Sequence, residues 1–253
     1  MPPSHKQIPT DAHVRHKSLD STVIHILRHG QSLHNIERGY PHRDPPLTEL
    51  GEAQARAVQL PAAPDLIIIS PMTRAIQTAL LVFGTAAEET PPDIPRHAQS
   101  QNPVSVPVPV QVWPDLRETH DHATCNKGLG RAALAARFPG LDFSLCGPEW
   151  DEAYYPAHSA ARAEARAERV RSRLCALARS GLYENIVLVT HRGFVAFLVP
   201  GARFGLCESR RYRFATESEA ERERFGVNVD SDEAQDFGPT VLVPCEDLGQ
   251  PAL

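Results

Sequence analysis

The stretch TVIHILRHGQSLHN, Thr22 to Asn35, joins an apolar β-branched run to a cation, an imidazole and a glycine. TVIHIL does not alternate polar and apolar residues, which marks a strand buried on both faces, as in a parallel sheet. DLIIIS (Asp65 to Ser70) and NIVLVT (Asn185 to Thr190) repeat that pattern. VPVPVQVW (Val106 to Trp113) is β-rich as well, and its prolines Pro107 and Pro109 suit an edge position or an entry into the sheet. TVLVP (Thr240 to Pro244) is a further strand candidate. Charged and titratable side chains are costly to keep dry, so Arg28 and His29 at the mouth of a buried strand need a reason.

Helical patterns lie between these runs. LTELGEAQARAVQL has Thr48 placed as an N-cap, and Thr73 to Phe83 carries Ile76, Leu80 and Phe83 at spacings of four and three. SAARAEARAERVRSRLCALARSG (Ser159 to Gly181) is the longest helix, with Gly181 as its stop. Its arginines are interleaved with Glu164 and Glu168 over an apolar stripe of Val170, Leu174 and Leu177, so they are read as a solvated face and not as a nucleic-acid surface. Alternating strands and helices define an α/β chain, expected as a three-layer α/β/α sandwich with a mostly parallel central sheet. Residues 1–20 read as a flexible arm, and 21–253 as a single domain with insertions at about 84–106, 119–158 and 201–238.

Composition narrows the partners. A formal net charge of −5 over 253 residues gives no footprint for nucleic acid or an anionic membrane, while leaving room for a local basic pocket. No run approaches a membrane span, and the N-terminus lacks an apolar leader pattern. Five cysteines, odd in number and without a CxxC pair, point to neither a disulfide framework nor a zinc ribbon; a reducing cytosol is expected. Nothing in the sequence calls for a cofactor, and oligomeric state is left open.

In open α/β sheets the ligand crevice lies outside the carboxyl ends of the strands. The polar residues collect there. The first strand ends in Arg28-His29-Gly30, the second runs through SPMTR to Arg74, the Pro-rich one leads through PDLRE to Glu118, and the fourth ends in Thr190-His191-Arg192-Gly193. Gly30 and Gly193 would allow a tight turn and a close backbone approach to an anion. One histidine at a strand end is usually structural; two, with Arg28, Arg74 and Glu118 at separate strand ends, define a site.

RHGQS with Asn35, DPPLTELGEAQA (Asp44 to Ala55), SPMTRAIQTA (Ser70 to Ala79), DLRE (Asp115 to Glu118) and VTHRG (Val189 to Gly193) resemble, in order, the sequence blocks of the histidine phosphatase superfamily, the phosphoglycerate-mutase-like fold. The resemblance runs from about Thr22 to Phe197. It implies a phosphohistidine nucleophile at His29, phosphate-binding Arg28 and Arg74, a second histidine at His191 and a proton donor at Glu118. The chain looks most like fungal phosphatases of this group, several of which accompany small-molecule biosynthesis, and this implies a place in such secondary metabolism.

The residue types fit that chemistry. A neutral imidazole is a good nucleophile at pH 7, and arginine forks can hold the phosphoryl oxygens as charge builds on them. A carboxylic acid at Glu118 can protonate the leaving alcohol. Gly30, Gln31, Asn35 and Thr190 would complete the phosphate pocket. The expected activity is metal-independent hydrolysis of a small-molecule monoester or diphosphate, with a non-hydrolytic or prenyl-diphosphate-directed step, or a silent binding module, as alternatives. The family's metabolic mutases carry a Trp shortly after the RHG block and an extended glycine-tryptophan segment; here His34 precedes Asn35 and the segment reads ERGYPHRDPP, so mutase activity is not expected. The fungal Cys-Asp-Thr-Gly-like loop reads Cys125-Asn126-Lys127-Gly128 here, pointing to a more anionic substrate. His120, His122 and Cys125 in THDHATC lack a usual ligand spacing and are read as a substrate-facing or plain surface loop, not a metal site. Asp44, before Pro45-Pro46, is read as a turn residue.

Overall fold

Sheet order places every strand end named above. The computed structural model describes residues 19–37, 39–84, 108–119, 123–148, 150–151 and 160–245. Most of the expected N-terminal arm and of the 84–106 insertion, together with His120 and His122, lies outside those residues.

In chain order the elements are β1 (Val23–Arg28), α1 (Leu33–Ile36), α2 (Glu49–Arg56), β2 (Leu66–Ile69), α3 (Thr73–Phe83), β3 (Val110–Val112), α4 (Arg131–Arg137), α5 (Ala160–Arg179), β4 (Asn185–Thr190), α6 (Arg192–Leu198), β5 (Ser209–Phe214), α7 (Glu217–Glu223), β6 (Phe225–Val227), β7 (Ala234–Asp236) and β8 (Leu242–Pro244). The six-stranded sheet runs β3-β2-β4-β1-β5-β8. Its first four strands are parallel, and β5 and β8 continue it antiparallel. β3, preceded by Pro109, takes the edge, where a missing N–H removes no ladder bond.

Successive side chains of a strand point to opposite faces, so each buried strand feeds two cores. Ile24, Ile26, Leu66, Ile68, Ile186 and Leu188 pack on one face with α5 and α6. Leu27, Ile67, Ile69, Val187 and Val189 pack on the other with α2, α3 and α4. This is the three-layer sandwich that unbroken apolar runs require. Thr48 caps α2 by accepting from Gly51 N–H (3.0 Å), and Gly181 ends α5 in the left-handed region at φ +68°.

Two expectations are corrected. SRRYRF, inside the segment read as a charged insertion, is an interior strand of the sheet, because only Tyr212 and Phe214 need to be buried and the arginines lie on its half-buried positions. The α5 arginines are not all solvated. Arg171 is 1% exposed and donates to Phe197 O (3.0 Å) and Leu198 O (2.9 Å), capping the end of α6, while Arg166 reaches Glu118 O (3.3 Å).

The β1 end and α2 meet backbone to backbone. A Cβ at Gly51 would stand 1.9 Å from Gln31 O, and one at Gly30 would stand 2.6 Å from Gly51 O. Neither obstacle is a side chain that can swing away. Gly51→Ala is expected to cost about 1–3 kcal/mol of stability, the usual range for an overpacked interior, seen as a lower urea midpoint at an unchanged slope.

Candidate active site

Register decides which residues meet. Arg28 pairs with Thr190 across β1 and β4, and His29 N–H donates to Thr190 O (3.0 Å). The next residues out, His29 and His191, therefore lie side by side, ring centroids 5.1 Å apart. On the far side of β4, Ser70 N–H donates to Val189 O (3.0 Å), which sets the Ser70 hydroxyl 2.7 Å from His191 Nε2. One strand further, Trp113 N–H donates to Ile69 O (2.9 Å), and the chain turns through Pro114–Leu116 to present Glu118. Glu118 is oriented there by Thr119 N–H (2.8 Å) and Gly193 N–H (3.3 Å).

Arg74 comes from the first turn of α3. Asp44 sits at φ +44°, a conformation Asp tolerates better than most residues, and its carboxylate accepts from Thr73 N–H (2.9 Å) and Thr73 Oγ1 (2.6 Å). Asp44 is thus a turn residue that anchors the start of α3. Arg74 itself is fully buried; Nη1 donates to Cys125 O (3.2 Å) and Nη2 to Asn126 Oδ1 (3.0 Å). Arg28 donates through Nη1 to Phe204 O (2.7 Å).

What these groups lack is as informative. The Nε atoms of Arg28 and Arg74 and Nδ1 of His191 are buried without a hydrogen-bond partner. Buried polar atoms are nearly always paired, so unpaired ones on three of the expected site residues leave hydrogen-bonding capacity for a polar ligand. His29 is 1% exposed, and its Nδ1 lies 2.7 Å from Gly30 O. A carbonyl only accepts, so Nδ1 carries the proton and Nε2 keeps its lone pair. Burial, then Arg74 and Arg28, hold the His29 pKa well below the ordinary imidazole value; burial, then Arg74 and His29, do the same for His191. Both are neutral at pH 7. Arg74 is lowered by burial too, opposed by Asp44 and Glu118, but a guanidinium keeps its charge.

The structure therefore brings together Arg28, His29, Arg74, Glu118 and His191. It gives four other expected pocket residues different partners. Gly30 N–H donates to Thr78 Oγ1 (3.1 Å), and its missing Cβ makes room for the α2 backbone rather than for a ligand. Thr190 Oγ1 donates its one proton to Leu116 O (2.7 Å), tying the Glu118 turn to β4. Gln31 accepts from Thr48 Oγ1 (2.8 Å), and Asn35 Oδ1 from Ser32 N–H (2.9 Å). Gly193 N–H, expected to face an anion, faces Glu118.

Sequence reading missed others. The His34 ring lies 5.8 Å from that of His29; only its place in the first block signalled it. Ser70 against His191, and Arg166 stacked 4.7 Å from the Phe194 ring behind Glu118, had no signal beyond their neighbours.

Residues 24–219 match the model of the histidine phosphatase superfamily (branch 1), and the chain belongs to that superfamily. A "phosphoglycerate mutase-like protein" of Arabidopsis thaliana is 29% identical over 209 residues, covering 74% of this chain and 76% of the relative. A "probable phosphatase" of Schizosaccharomyces pombe is 34% identical over 139 residues, 51% of this chain and 55% of that one. Among solved structures, the alpha-ribazole phosphatase of Shigella flexneri aligns with a TM-score of 0.47 at 20% identity over 87% of this chain and 96% of its own. Among the described residues no helix is long and apolar enough to cross a membrane.

Neutral buried imidazoles link stability to pH. The pKa of His25, His29, His34 and His191 is lowered on folding, so the unfolded chain takes up protons first as pH falls. Stability is then fully present above about pH 6.5 and is lost below it, by up to about 1.4 kcal/mol per pH unit for each such group. Urea midpoints measured between pH 7.5 and 5 should fall steadily towards the acid end.

Proposed function

We propose that the chain is a metal-independent phosphatase that hydrolyses a small phosphate ester through a phosphohistidine at His29. The observation that carries this reading is the set of buried, unpartnered nitrogens, Nε of Arg28 and of Arg74 and Nδ1 of His191, beside an imidazole, His29, whose Nδ1 carries the proton. A phosphoryl group would supply the missing acceptors and stand in front of the nucleophile.

In the first half-reaction His29 Nε2 attacks phosphorus and the P–O ester bond breaks. The leaving oxygen takes a proton from Glu118, and the arginines hold the phosphoryl oxygens as charge spreads over them. In the second, Glu118, now ionised, takes a proton from water as that water attacks the phosphohistidine, and phosphate and neutral Nε2 are regenerated. The depth of the reacting groups, His29, Arg74 and His191 each at most 1% exposed, favours the end of a slim small molecule over a protein phosphosite. The resemblance to fungal phosphatases keeps a biosynthetic ester as the substrate class we assign, and the free cysteines support action in the cytosol.

p-Nitrophenyl phosphate tests this. The parent should hydrolyse it in the presence of chelator and, after acid-free denaturation, carry an alkali-stable phosphohistidine that His29→Ala lacks. A His29→Ala protein as fast as the parent would overturn the reading. Glu118→Gln should slow an alkyl phosphate by about 10²–10⁴-fold and the aryl ester much less, since p-nitrophenolate leaves without a proton.

A further inference from the structure

His34 has no role in that scheme, although its ring packs on the nucleophile. Its hydrogen bonds can be assigned proton by proton. Ser32 Oγ donates its one proton to Pro45 O (3.2 Å), so towards His34 Nδ1, 3.1 Å away, it accepts, and Nδ1 carries a proton. At the other ring nitrogen, Asn35 Nδ2 lies 3.1 Å from Nε2 and has only protons to offer, so Nε2 is bare. The orientation of the Asn35 amide is independently set, because Oδ1 accepts from Ser32 N–H (2.9 Å). The circuit closes on itself: Ser32, His34, Asn35 and Ser32 again.

Such a ring leaves His34 no proton to give and no lone pair to take one. Protonation would break it, and burial followed by repulsion from Arg74 pushes the His34 pKa down to about 3, Arg28 adding to this and Glu118 opposing it. The Asn35 carboxamide, exposed and set against the His34 ring that packs on His29, is held by both of its heteroatoms and keeps one N–H uncommitted.

We infer that His34 is a positioning residue, whose bare Nε2 holds the Asn35 carboxamide so that its remaining N–H is presented to the phosphoryl group. The inference rests on the phosphatase reading and adds to it a reason for a third imidazole beside the nucleophile. A locked amide loses less rotamer freedom when the anion arrives than a loose one would.

The test is a double-mutant cycle on full-length protein with p-nitrophenyl phosphate, using His34→Phe, which keeps a ring but no acceptor, and Asn35→Ala, at an exposed side chain. Each single variant should lower kcat/KM by about tenfold, and the double should be no worse than Asn35→Ala. His34→Gln, which restores an acceptor, should stay within about threefold of the parent. Losses that multiply to about a hundredfold, or a His34→Phe protein at the parent's rate, would overturn the inference while leaving the phosphatase reading intact. ¹⁵N spectra of histidine-labelled protein provide a readout free of activity. His34 should be neutral with the proton on Nδ1 from pH 8 to 5, with an Nε2 signal that shifts in Asn35→Ala; a proton found on Nε2 overturns the inference even if no ester is cleaved. Absence of p-nitrophenyl phosphate hydrolysis in the parent sinks the phosphatase reading and this inference with it.

Discussion

A fully buried arginine is the constraint on which the site depends. Removing a guanidinium from water costs several kcal/mol even after relaxation, so Arg74 has to be held by groups that take part of its proton-donating capacity. Two oxygens, Cys125 O and Asn126 Oδ1, do so, and the carboxylates of Asp44 and Glu118 support its charge from nearby. Around it Arg28 is also half buried, and both imidazoles are driven neutral by burial first and by Arg74 after it. On the proposed reading, a phosphate would relieve all of these strains at once.

The scaffold exists to hold that unfavourable group still. Asp44, strained into positive φ, pins Thr73 and thereby the first turn of α3. The parallel ladder sets His29 beside His191 by pairing Arg28 with Thr190, and Thr190 in turn holds Leu116 and so the turn bearing Glu118. These are interactions of high geometric certainty, backbone to backbone or to a single acceptor, beneath a set of side chains that would repel one another if released.

Much of this was legible in the sequence because buried parallel strands write themselves as unbroken apolar runs, and polar residues at their ends stand out against that background. β1, β2, β4 and the five charged or titratable residues beyond the sheet could be read in this way. β5 could not: it faces water along part of its length, and Ser-Arg-Arg-Tyr-Arg-Phe resembles a charged loop until Tyr212 and Phe214 are seen to bear the buried face. Arg166 and Arg171 were hidden for the converse reason, since an arginine on a charged helix gives no sign that its head will be drawn inward to cap a neighbouring element. Partners of hydroxyls and amides are the least legible. Thr190 and Gln31 have side chains suited to a phosphate, and only the fold reveals the carbonyl or hydroxyl already in contact with them.

That last point bears on how the site takes its anion. Glycine beside a histidine at a strand end usually recruits backbone N–H groups, which carry partial charge and discriminate little among anions. Here Gly30 N–H is committed to Thr78 and Gly193 N–H to Glu118. On the proposed reading, recognition would fall instead to guanidinium forks and imidazole, which have full charge or directed donors and match tetrahedral oxygens at fixed angles. Such groups do not change charge between pH 6.5 and 9, where the arginines are cationic and the buried imidazoles are neutral. Gly30 serves the opposite end: with Gly51 it lets the end of β1 and α2 approach backbone to backbone.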